Sequence, residues 1–137
     1  MELDELALEA LEDLYNRGIP ERNDAVMFDI DDTLMRTNGE IIGPIVALAH
    51  RAKAIGYRIV IITARPHWLD NVEYTKQNLR DLDIKWDRLA FCHPDEKGQV
   101  KREMGYNFVL SVGDQPWDLT DSLCWLNTST KRYNCGN

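Results

Sequence analysis

Three short apolar runs without polar alternation dictate the architecture this chain can adopt. Residues 25–30 (AVMFDI), 58–63 (RIVIIT) and 108–112 (FVLSV) stay largely hydrophobic over the length of a strand. A strand with one face in water alternates. One covered on both faces does not, and such cover comes from helices packed on either side of a parallel sheet. The intervening segments can supply those helices. Leu3, Leu6, Ala7, Ala10 and Leu14 recur at helical spacing over 3–16, and Gly18 and Pro20 end the run. Pro44 opens a second helix that Gly56 closes. A third is expected from Pro66 to about Leu82, and a fourth over 95–104. LAFC at 89–92 and LCWL at 123–126 add shorter strands. The expected fold is α/β, a three-layer, Rossmann-like sandwich on a mainly parallel sheet of about five strands.

A chain of 137 residues suits one compact domain over 1–137. No stretch approaches the roughly 18 apolar residues of a membrane span, and the acidic, leucine-rich amino terminus lacks the basic start of a secretory signal. A cytoplasmic protein with no membrane association is expected. Cys92, Cys124 and Cys135 have no CxxC spacing and are expected to be reduced thiols. The net charge of −7 is uneven: residues 1–50 carry twelve acids and three bases, the remainder eleven acids and thirteen bases. That balance disfavours tight non-specific nucleic-acid binding but permits a mildly basic rim.

In parallel α/β sheets ligands sit beyond the carboxyl ends of the strands. Here the first run ends in Asp29-Ile30-Asp31-Asp32-Thr33, the second in Thr63-Ala64-Arg65, and the third in Gly113-Asp114-Gln115-Pro116-Trp117-Asp118. Lys97 and Lys101 lie on the segment between, one helical turn apart. Carboxylates on strand tips suit a hard cation such as Mg²⁺. An Asp beside it can attack phosphorus and carry the phosphoryl group. Alternation along an extended backbone puts Asp29 and Asp31 on one side. One can attack while the other handles the proton, Asp31 acting as general acid and then general base. Thr63 and one of the two lysines would hold phosphate oxygens.

These residues resemble the haloacid dehalogenase-like superfamily of phosphohydrolases. VMFDIDDTL, VIITAR, a downstream lysine and VGDQPWD stand in the superfamily's order across 25–118. TKQNL, WDRLAF and GDQPWDL further resemble its acid phosphatase and vegetative storage protein branch. The resemblance implies Asp29 as the nucleophile. It implies Mg²⁺ on Asp29, on the backbone carbonyl of Asp31 and on Asp114, with Asp118 supporting these ligands from behind or reaching the metal through water. It implies phosphate binding by Thr63 and by Lys97 or alternatively Lys101. Ala64 and Arg65 follow Thr63 at the strand end, where Arg65 can contact phosphate or the leaving group or equally form a surface salt bridge. It implies a phosphatase, since an Asp at the position of Asp31 is what the superfamily's phosphatases show, and relatives with other chemistry tend to carry a different residue there. Residues 34–43 leave room for a short flap and no cap domain, so bulky substrates fit. A nucleoside monophosphate, a polynucleotide 3′-phosphate and a phosphoprotein all remain open.

Among softer signals, Thr33 is expected to bond the loop backbone, and Trp117 to pack. His67 can line the pocket as readily as not. Trp68, Trp86 and Trp125 are expected in or near the core, and His50 and His93 in structural roles. Two rival functions exist. A phosphoacceptor receiver domain would place its phosphorylated Asp after a middle strand, unlike Asp29. A storage or binding relative without turnover would not need both Asp29 and Asp31.

Overall fold

The computed structural model of the protein describes residues 2–136. In chain order the elements are α1 (Leu3–Asn16), β1 (Asp24–Phe28), α2 (Gly43–Ile55), β2 (Arg58–Thr63), α3 (Leu69–Asp81) and β3 (Arg88–Phe91). They continue with α4 (Lys97–Met104), β4 (Asn107–Gly113), the one-turn α5 (Pro116–Leu119), β5 (Cys124–Asn127) and β6 (Arg132–Cys135). The strands form one sheet in the order β3-β2-β1-β4-β5-β6, parallel except for β6. The apolar runs are its centre: β1 is buried throughout, and β2 and β4 nearly so.

Alternation in β1 divides the core. Val26 and Phe28 face a large cluster with α1, α2 and Leu79 of α3. Ala25 and Met27 face the opposite side, with Val60, Ile62 and Phe108, under Val100 and Met104 of α4. This makes the three layers. From β1 the chain winds outward to β2 and β3, then returns through α4 to β4 on the other side of β1. The gap between β1 and β4 is therefore the switch point at which open α/β sheets bind ligands.

Four local expectations are corrected. The third helix begins at Leu69 and not Pro66. Trp68 is its extended N-cap (φ −75°, ψ 156°), and residues 64–68 form a loop. Trp68 consequently leaves the core and is 66% exposed. The sheet has a sixth strand, β6, antiparallel to β5. That pairing sets Cys124 directly opposite Cys135, and the two form a disulfide. Only Cys92 is a free cysteine among the described residues. Between β1 and α2 lies a small flap, closed by bridges of Met35 to Asp31 and Ile41. No helix among the described residues is long and apolar enough to cross a membrane.

Candidate active site

The even-odd rule that splits the core also aims the first site residue. Residues 25 and 27 face α4, and Asp29, at the carboxyl end of β1, does likewise. Its backbone N–H donates to Val112 of β4 (3.1 Å), which fixes the chain where the strand ends. α4 meets it with Lys97 in its first turn. The Lys97 ammonium donates to Asp29 Oδ1 (2.9 Å) and Asp118 Oδ1 (2.6 Å), and all three side chains are nearly closed to solvent. Burial pushes the Asp29 carboxyl up to about 7; Lys97 opposes this and the Asp118 charge adds to it. Burial alone would lower Lys97, but the two carboxylates hold its ammonium above the usual lysine range.

Asp114 completes the group from the tip of β4. One carboxylate oxygen each of Asp29, Asp114 and Asp118 lies within 4.8 Å of the others. Three carboxylates facing one ammonium leave the site short of positive charge, and oxygen donors at this spacing suit a hard divalent cation. Asp118 is wholly buried at the third position of α5. Its Oδ2 accepts the Gln115 N–H (3.1 Å), while Oδ1 takes Lys97. Gly113 makes this possible, because a Cβ there would stand 2.3 Å from that of Asp118.

Lys101, four residues after Lys97, also points at the sheet but turns away from Asp29. It donates to Ser111 Oγ (2.9 Å) and to the carbonyls of Asp118 (2.6 Å) and Thr120 (2.7 Å). It thus braces the segment carrying Asp118 from beneath. Burial pulls its ammonium down to about 8.

Asp31 does not share a strand with Asp29, because β1 ends at Phe28 and the chain turns. The Ile30 carbonyl accepts the N–H groups of Thr33, Leu34 and Met35, and Asp32 adopts φ 62°, a left-handed conformation that Asp tolerates better than most residues. The two carboxylates engage different partners. Asp31 receives a bidentate Arg65 guanidinium, Nε to Oδ2 (2.9 Å) and Nη2 to Oδ1 (2.8 Å). Arg65 Nη1 continues to Thr75 Oγ1 (3.2 Å) and Asn78 Oδ1 (2.9 Å) on α3. The spacing of these residues in sequence offered no sign of the link.

Thr63 is buried at the end of β2, where its Oγ1 accepts the Arg65 N–H (3.1 Å), and Ala64 is exposed beside it. The Thr33 hydroxyl, contrary to expectation, bonds nothing: it is buried with no partner among the described residues. Trp117 remains 41% exposed, and His50 Nε2 meets the Leu82 carbonyl at 2.9 Å. His67 and Trp68 line a cleft of about 400 Å³ with Phe91, Cys92 and His93, between the ends of β2 and β3.

The sequence matches no family model and no curated protein. Its fold is similar to that of the class C acid phosphatase of Bacillus anthracis. One structure of that protein aligns with a TM-score of 0.67 at 15% identity, covering 86% of this chain and 65% of that one. A second, with tungstate bound, gives 0.68 at 18% identity and 86% and 62% coverage. The chain thus spans less than two thirds of those relatives. A chain of a Pnkp1/Rnl/Hen1 complex aligns with a TM-score of 0.58 at 20% identity, covering 73% of this chain and 43% of that one. At these identities the likeness is one of fold.

Proposed function

We propose that this chain is a divalent-cation-dependent phosphomonoesterase of the haloacid dehalogenase-like superfamily that works through an aspartyl-phosphate on Asp29. The observation that carries the reading is the buried Asp29–Lys97–Asp118 contact beside Asp114, at the switch point of the sheet. Catalytic carboxylates are kept where charge can be balanced at short range, and a phosphoryl group brings further negative charge to be matched. The likeness in fold to an acid phosphatase that has been seen with tungstate, an oxyanion, supports the same class.

Asp29 forms the P–O bond through a carboxylate oxygen while the ester P–O bond breaks. Lys97, next to the attacking oxygen, takes phosphoryl oxygens, and Thr63 donates its hydroxyl from the end of β2. Asp31 gives a proton to the departing oxygen and then takes one from the water that cleaves the acyl phosphate, restoring Asp29. Asp29, Asp114 and the Asp31 carbonyl would hold Mg²⁺, with Asp118 supporting them from behind. The cation, when bound, supplies charge that keeps Asp29 ionised and offsets the phosphoryl oxygens. Arg65 holds Asp31 in place rather than gripping phosphate, because its donors are already engaged by Asp31, Thr75 and Asn78. The small flap after β1 leaves the site open, which suits a nucleotide or a nucleic-acid end as substrate.

The test is hydrolysis of an aryl phosphate with Mg²⁺, with and without chelator, by the wild type and Asp29→Asn. Turnover that needs both the cation and Asp29 supports the proposal. A folded protein that binds Mg²⁺ but turns nothing over would favour a storage or binding protein instead.

A further inference from the structure

A general acid has to lie within hydrogen-bond reach of the leaving oxygen, so the leaving group occupies whatever cleft the acid borders. Asp31 borders a cleft between the flap and α3, with Met35, Arg36, Asn38, Asn71, Arg65 and Tyr74. Its volume is about 340 Å³, near the lower end of the roughly 300–1,000 Å³ of small-molecule sites and enough for a single nucleoside. In a chain of net charge −7, this lining carries two guanidiniums against one carboxylate.

The two arginines are differently committed. Arg65 is spent inward on Asp31, Thr75 and Asn78. Arg36 is half-exposed at the rim, and among the described residues its one side-chain partner is Glu40, at 2.9 Å in an exposed i,i+4 pair of the kind worth little in water. Its terminal nitrogens are free for a phosphate. Tyr74 is 61% exposed, and the Arg65 guanidinium lies over its ring at 5.9 Å, a cation–π contact that favours this ring position. Asn71 donates to the Pro66 carbonyl and keeps its amide oxygen to accept. Asn38 accepts the Glu40 N–H and keeps its amide hydrogens to donate.

We infer that this cleft seats the terminal nucleoside of a single-stranded nucleic acid that bears the scissile phosphate, with the base on Tyr74 and the next backbone phosphate on Arg36. The assignment rests on the phosphatase reading above. It goes further by making the second phosphate, rather than the nucleoside alone, the feature that is recognised. An exposed aromatic face accepts any unpaired base, and one arginine beside it tracks the backbone.

The experiment measures kcat/KM for p-nitrophenyl phosphate, nucleoside monophosphates, and short single-stranded oligonucleotides phosphorylated at the 3′ or the 5′ end, using wild type, Arg36→Ala and Tyr74→Ala. Both side chains are at the surface, and circular dichroism checks that the variants fold. The wild type is expected to prefer one oligonucleotide end over the matching mononucleotide by about tenfold or more, and the preferred end identifies the strand polarity. Arg36→Ala abolishes that preference and flattens the salt dependence by about 0.7 in the log–log slope. Tyr74→Ala lowers the oligonucleotide rate about fivefold to a hundredfold more than the aryl phosphate rate. If the aryl phosphate is hydrolysed but oligonucleotides hold no advantage, or the advantage survives Arg36→Ala, the cleft assignment is wrong and the phosphatase reading stands. If no substrate is hydrolysed, both fail.

Discussion

Replacing Lys97 by Met tests whether one ammonium holds the candidate site together. Its side chain is 2% exposed and lies between Asp29 and Asp118, which are themselves 11% and 0% exposed. Methionine keeps most of the volume, so the loss is one of charge and hydrogen bonds. Breaking a buried ion pair by removing one partner costs about 3–5 kcal/mol, because the remaining charge is left without compensation. Asp29 already sits near 7, so it takes up a proton readily, and this limits the loss to about 3 kcal/mol, the low end of that range. For a chain of this length that lowers Tm by about 10–15 °C. Saturating Mg²⁺, at a hundred times its Kd, returns about 2.7 kcal/mol if the carboxylates bind it. The rate of aryl phosphate hydrolysis falls about 10²–10³-fold even with Mg²⁺, as it does when one preorganised donor to the transition state is removed. Thermal unfolding with and without Mg²⁺, followed by steady-state kinetics, reads all three quantities. A variant as stable as wild type in chelator, or one with undiminished turnover, would refute the reasoning.

Four further expectations follow from particular contacts. Gly113→Ala forces a Cβ into Asp118, so it should destabilise the fold by about 1–3 kcal/mol in urea and weaken Mg²⁺ binding measured by calorimetry. Lys101→Met strands the carbonyls of Asp118 and Thr120, and a loss of about 1–3 kcal/mol is expected although Lys101 does not touch Asp29. Burial works against the Asp87 carboxylate, but Lys53 (2.9 Å), the Ile59 N–H (2.7 Å) and Arg58 hold it below the ordinary range. Its contribution is therefore present above the unfolded-state value of about 4 and lost as pH falls through the lower folded value, so Asp87→Asn should cost about 1 kcal/mol at neutral pH and progressively less in acid. Arg65→Lys cannot reproduce the bidentate grip on Asp31, so kcat should fall about tenfold or more while KM for an aryl phosphate changes little.

The central strands were legible because burial on both faces leaves an unbroken apolar signature, and β1, β2 and β4 carry it. β6 carries none: RYNC is polar and lies at the sheet edge, where one strand neighbour and partial exposure suffice. A turn signal did precede it. Asn127 Oδ1 accepts the N–H groups of Ser129 and Thr130, the pattern by which Asn reverses a chain. Reading that turn would also have opposed Cys124 to Cys135. Pro66 misled because proline suits an extended loop as well as a helix start, and the N-cap at Trp68 lacks a side-chain signature.

In the site, Asp29, Asp114 and Asp118 were readable as strand-tip acids, and they do come together. The lysines were ambiguous because helical periodicity gives a face but not a depth. The packing of α4 across β1 and β4 sends Lys97 to Asp29 and Lys101 to Ser111. Arg65 was harder still. Its place on Asp31 depends on Thr75 and Asn78, two α3 residues whose approach only the folded chain reveals.

The central claim is a phosphoryl group on Asp29, and Asp31→Asn offers the direct view of it. With p-nitrophenyl phosphate the leaving group departs without help from an acid, whereas hydrolysis of the acyl phosphate still needs the base that the variant lacks. The intermediate should therefore accumulate. Acid-quenched protein, digested and examined by mass spectrometry, should carry one phosphoryl group on the peptide containing Asp29, and none when Asp29 is also replaced by Asn. Phosphate on another residue, or steady turnover with no modified peptide at any time, would contradict the account.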